Sequence, residues 1–186
     1  MFQDSDMKIV GEKPSDDVKR NKELFGDVVE YEREKSNGNI KKAKTLGSSL
    51  AAEFVSVCKK DELTISENDS ESLITQKVLL LSFTVMAGLE EFCPNITLAN
   101  AARTAFFDEL HNLDKELFEK SSDTGAFSFY YLSFRRGTEV DRRVGQTFAM
   151  LCSHDGDPIY QELGEALYCW FLSTVQDKVQ KTEFVK

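Results

Sequence analysis

The chain has 186 residues, 41% of them apolar and 30% charged, with a formal net charge of −9. This length and balance suit one domain with a real hydrophobic core, and they exclude a disordered chain or one dominated by membrane spans. The first 66 residues are nearly neutral and the remaining 120 carry the acidic excess. Such a body repels phosphate backbones, so nucleic acid is not an expected partner unless a local basic patch exists.

The opening "MFQDSDMKIVGEKPSDD" has no basic start followed by an apolar run. No secretory signal is therefore expected, and the expected compartment is the cytoplasm. Residues 1–13 read as a tail and 14–186 as one all-α domain. Pro14 suits a first helical turn, and Val18, Phe25, Val28 and Val29 draw a thin apolar stripe over the first helix. Gly38 in "SNGN" breaks it. The next helix begins near Ile40, with Ala43, Leu46, Leu50, Phe54, Val57 and Cys58 at steps of three and four. Its small residues Gly47, Ser48 and Ser49 would let another helix approach closely.

"DELTISENDSES" is polar and acidic and reads as a solvated loop, with Asp69 or Ser70 capping the third helix. Leu73–Phe92 is apolar nearly all round at its centre, which marks the central, buried helix of the domain. Its most apolar stretch, Val78 to Leu89, is shorter than the roughly 20 residues of a membrane-spanning helix, so no membrane partner is expected. Pro94 stops this helix, and Asn95 or Thr97 can cap the next. "LANAARTAFFDELHNLDKELFEK" then reads as one helix with Ala99, Ala102, Phe106, Leu110, Leu113 and Leu117 on a stripe. "AFSFYYLSFRR" places Phe127, Tyr130, Tyr131 and Phe134 at helical spacing, although its aromatics would also suit a strand. Val140, Val144, Phe148 and Leu151 mark a further helix. Asp157 caps the last, with Pro158 as its first residue and Ile159, Leu163, Leu167, Trp170 and Thr174 on a stripe. The expectation is an all-α bundle of six or seven helices around Leu73–Phe92.

Chemistry-bearing patterns are sparse. Cys58, Cys93, Cys152 and Cys169 are widely spaced, form no CxxC motif and read as reduced, mostly buried thiols. Asp108 and His111 share a helix face at i and i+3. Carboxylate-bridged metal sites use that spacing, but they need a second such pair and further carboxylates, so no metal is expected. Cys152 and His154 are two apart, a spacing that points side chains away from each other within a helix. Tyr130, Tyr131, Arg135 and Arg136 could combine an aromatic wall with cations for an acidic ligand. Arg142 and Arg143 could hold an anion. The plainer reading of that stretch is a helix junction: Arg135 and Arg136 in a last turn, Gly137 as a left-handed stop, Thr138 as the next cap, and Glu139 at ion-pair spacing from the second arginine pair. No P-loop, GxGxxG, HExxH, GxSxG or EF-hand loop occurs. These features favour a non-catalytic helical interaction or regulatory protein without a cofactor, with a protein partner or self-association. The alternative is a helical small-molecule binder or enzyme with an aromatic pocket.

Overall fold

The computed structural model describes residues 16–59, 71–122, 124–135 and 137–185, and in the first helix it describes side chains from Gly26 onward. Among these residues there are eight helices and no strand: α1 (Asp16–Ser36), α2 (Asn39–Lys59), α3 (Glu71–Phe92), α4 (Ile96–Leu113), α5 (Lys115–Ser121), α6 (Thr124–Phe134), α7 (Val140–Leu151) and α8 (Pro158–Lys181). The chain is an all-α bundle. The expectations for residues 1–13, Pro14, the side chains of Val18 and Phe25, and the Asp69 or Ser70 cap lie outside the described residues.

α3 is the central element, with every residue from Lys77 to Leu89 buried except Met86. It is long and apolar enough to cross a membrane, and most of it lies buried inside the bundle. Burial against neighbours on all sides is what selects an apolar surface all round. Two core clusters share this helix. One joins Leu46, Leu50 and Phe54 of α2 to Ala102 and Phe106 of α4 and Phe171 and Val175 of α8. The other joins Leu80 and Phe83 of α3 to Tyr130, Val144, Phe148 and Tyr168. Each such aliphatic or aromatic side chain contributes about 1.5–3 kcal/mol by leaving water.

The tightest approaches are made through glycine. A Cβ on Gly47 would overlap the Ala102 carbonyl oxygen of α4 and sit 2.9 Å from the Phe106 backbone nitrogen. The small residues of α2 thus do admit a second helix. Gly145 of α7 meets the Gln161 carbonyl oxygen of α8 in the same manner.

α1 departs from its expected packing. Val28 and Val29 are 61% and 62% exposed, and among the described α1 side chains only Glu34 is buried. The helix docks by hydrogen bonds instead. The Glu34 carboxylate accepts from Asn39 Nδ2 at 2.6 Å, Arg33 Nη2 at 2.7 Å, and Asn37 and Asn95 Nδ2 at 3.2 Å each. These donors hold the Glu34 carboxyl down to about 2, the Asn39 amide contributing most. Asn39 in turn bonds both backbone groups of Val185 at 2.8 Å, and Thr97 Oγ1 donates to Glu30 at 2.8 Å. One buried carboxylate therefore ties together α1, α2, the start of α4 and the C-terminal segment.

Three other expectations are corrected. The long helix after Pro94 is divided, because Asp114 adopts extended backbone (φ −159°), accepts from Leu117 N at 3.0 Å as the cap of α5 and pairs with Lys59 at 3.0 Å. This division brings the count to eight, and it leaves Leu113 44% exposed while Leu117 is buried. α8 buries Gly164, Tyr168, Phe171, Val175 and Val179, whereas Ile159 and Trp170 of the expected stripe are 74% and 44% exposed. The buried line runs through glycine, which scores low for hydrophobicity but permits the close α7 contact. α6 is a helix, as its aromatic spacing favoured over a strand, and its aromatics pack at three- and four-residue steps onto Phe83. Finally, Glu139 rather than Thr138 precedes α7, in a left-handed conformation (φ 49°) with no side-chain cap bond. Asn95 caps α4 and Asp157 caps α8, each through its side-chain oxygen.

Candidate functional site

α3 and α8 hold the two core clusters together, and among the described residues neither α4 nor α5 packs extensively against α6. On that side the seam between the clusters stays open as a groove of about 490 Å³. Met86 of α3, the one partly exposed residue in the buried run, forms its floor. Phe107 of α4 and Phe118 of α5 stand on one wall and Phe127 of α6 on the other. The first two belong to the first cluster and Phe127 to the second. Helical spacing puts Arg103, Thr104, Phe107, Asp108 and His111 along one side of α4, so the same helix supplies apolar wall and charged rim.

Edge-to-face packing holds the walls in place. Phe107 meets Phe106 at 5.1 Å and Phe118 at 6.3 Å between ring centroids, and Phe118 meets the His111 ring at 5.1 Å. Such contacts favour a fixed geometry over a collapsed one. Arg103 Nη2 donates to Asn100 Oδ1 at 2.5 Å, which places a cation on the rim. A second hollow of about 620 Å³ shares Phe107, Asp108 and Phe118 and continues past His111 and Asn112. Across α4 lies a cleft of about 580 Å³ against α1, with Tyr31 and Ile96 as its large apolar members.

Asp108 and His111 both border this double groove. Among the described residues no group of three or more His, Cys, Asp or Glu is placed to hold a metal. Tyr130 is wholly buried, stacked on Phe83 at 5.2 Å, and its hydroxyl has no hydrogen-bond partner among the described residues. Burial raises the Tyr130 phenol above its ordinary range. Tyr131 is 37% exposed, with the Arg135 guanidinium 5.3 Å over its ring. The fold thus brings Tyr131 to Arg135 and sends Tyr130 into the core, while the Arg136 side chain lies outside the described residues. Arg142 pairs with Glu139 at 3.6 Å, Arg143 Nη2 donates to Thr138 Oγ1 at 3.4 Å, and the Asp141 carboxylate accepts from Arg142 N. Gly137 is left-handed (φ 71°), so the junction forms with each of these groups locally partnered.

All four cysteines are free, and their expected burial is corrected: Cys58, Cys93 and Cys152 are half-buried and Cys169 is exposed, because it lies on the outward side of α8. Burial pushes the thiols of Cys93 and Cys152 up to about 11 and that of Cys58, helped by the Asp114 charge, up to about 12. These thiols stay protonated at neutral pH and are poor nucleophiles. His154 stacks on Tyr160 at 3.8 Å and lies 3.9 Å from Asp157 in the turn before α8. Phe127 was within reach of sequence reading as part of an aromatic stripe. Met86, Phe107 and Phe118 carried no signal beyond apolarity, because the groove exists only where α6 stands apart from α4 and α5. No family model matches this chain, nor does any curated protein or solved structure.

Proposed function

We propose that this chain is a non-catalytic helical interaction module whose seam groove receives a large aliphatic or aromatic side chain from a partner protein. The observation that carries this reading is the open groove itself: four large apolar side chains from four helices line one concave strip, with Arg103 and Asp108 on its rim. Interfaces concentrate their energy in such pockets, with apolar anchors at the centre and charges outside. The opposite charges at the rim fit a partner segment that carries an acid and a base on either side of its apolar anchor. α6 adds apolar surface beyond the groove, since Phe129 and Leu132 are 49% and 61% exposed.

The test is selection of a random displayed-peptide library on the wild-type protein, with Phe127→Glu and Arg103→Glu as counter-targets. Enrichment of peptides with an apolar anchor flanked by an acid and a base, lost on both variants, is the expected outcome. Selected peptides that bind both variants as well as wild type would remove the groove from consideration.

A second reading, a small-molecule site, draws on the groove's volume, which falls in the range of ligand pockets. An anilinonaphthalene sulfonate probe that saturates stoichiometrically and is lost in Phe127→Glu, with no peptide enrichment, would favour it. Concentration-dependent sedimentation abolished by the same substitutions would identify the partner as a second copy.

A further inference from the structure

Between the first turns of α2 and the last turns of α8 lies a groove of about 460 Å³. Lys41 and Lys42 stand on one side and Lys178 and Lys181 on the other, the rest of its lining is Leu46 and three hydroxyl side chains, and among the described residues no carboxylate lines it. A chain of net charge −9 thus concentrates four cations in one concavity.

Local helix electrostatics account for half of this arrangement. Lys178 and Lys181 lie in the last turn of α8, where the exposed carbonyls favour a cation. Lys41 and Lys42 lie in the first turn of α2, which holds no acid. There the free backbone amides disfavour a cation, so helix stability gives no reason for these two lysines. Two of the four are anchored. Lys42 Nζ donates to the Glu183 carbonyl at 2.7 Å. Lys178 Nζ donates to Ser49 Oγ at 3.1 Å and is held 3.4 Å from the Glu53 carboxylate, which stands outside the lining. With its oxygen accepting from Lys178, Ser49 keeps its own proton available to donate. Lys41 and Lys181 are exposed and make no ion pair with a described residue.

We propose that this groove binds a small, soluble phosphorylated anion. Fixed cations on facing walls, a neighbouring hydroxyl donor and a one-signed concavity suit several oxygens on one compact ligand. Leu46, the apolar member of the lining, is buried. The rim therefore has nothing to insert into a membrane, and the acidic remainder of the chain repels extended polyanions.

Calorimetric titration with inorganic pyrophosphate, in buffer of about 50 mM salt, tests the proposal. Saturable binding is expected, weakened at least about ten-fold in Lys41→Gln/Lys181→Gln and about ten-fold by raising the salt to about 0.5 M. Ser49→Ala, which removes a donor and no charge, weakens it several-fold. The control Lys35→Gln/Lys115→Gln, which removes two exposed charges elsewhere, leaves affinity within about two-fold. Absence of pyrophosphate binding at millimolar concentration overturns the proposal. So does an equal loss in the control pair, or binding confined to phosphatidylserine vesicles.

Discussion

Replacing Glu34 with glutamine removes the charge at the junction of α1, α2, α4 and the C-terminal segment while keeping shape and one acceptor. The wild-type carboxyl is held at about 2 against an ordinary 4.5. Taken whole, that depression is worth a ceiling of about 3 kcal/mol. Arg33, one of the donors, is 65% exposed at its side chain, so water screens part of the interaction and about 1.5–2 kcal/mol is the expected difference. The sign is that of a depressed carboxyl. The stabilisation is complete above the unfolded value near 4.5 and is lost as pH falls through that value toward about 2. Urea unfolding of wild type and Glu34→Gln at a series of pH values measures the contribution as a difference, in which the other carboxylates cancel. The variant is expected to be less stable at pH 7 by about 1.5–2 kcal/mol, with the gap closing below about pH 4.5 and nearly gone by about pH 2. A gap that stays constant across that window, or no gap at pH 7, would refute the assignment of this carboxylate as the clamp.

Gly47→Ala raises helix propensity by about 1 kcal/mol but drives a methyl group into the α4 backbone at Ala102, and a net loss of at least about 2 kcal/mol is expected. Thermal melting decides the sign, since a rise in Tm would mean that α2 and α4 do not approach at Gly47. Tyr130→Phe deletes a buried hydroxyl without a described partner and should stabilise the fold by up to about 1 kcal/mol; a loss of more than that would expose a hydrogen bond. Labelling the native protein with a disulfide reagent should modify the exposed Cys169 first, with the half-buried Cys58 and Cys93, whose thiols burial keeps protonated, reacting more slowly. A fast phase that persists in Cys169→Ser would contradict that order.

Some of the candidate site was legible in the sequence, and the reason is local. Asn95 and Asp157 cap helices because a short side chain reaches amides two or three residues ahead, an interaction written in adjacent positions. Arg142, Glu139 and Gly137 formed their junction for the same reason. Asp108 and His111 share a groove rim because i and i+3 always share a helix face. The role of Glu34 was hidden because its partners Asn39 and Asn95 come from other elements. The outward position of Trp170 was hidden because apolarity marked a stripe, whereas the buried line of α8 depends on which neighbour Gly164 admits.

By itself the sequence determined most of the helices, the break at Asp114 and the start of α7 excepted, because period and capping are properties of neighbouring residues, and the all-round apolar pattern of Leu73–Phe92 marked a helix with apolar neighbours on every side. Tertiary structure alone decided which face of α8 is buried, that a buried carboxylate secures the second half of α1, and that four lysines meet across a groove. Each of these depends on the distance between helices remote in the chain, and no local pattern carries that distance.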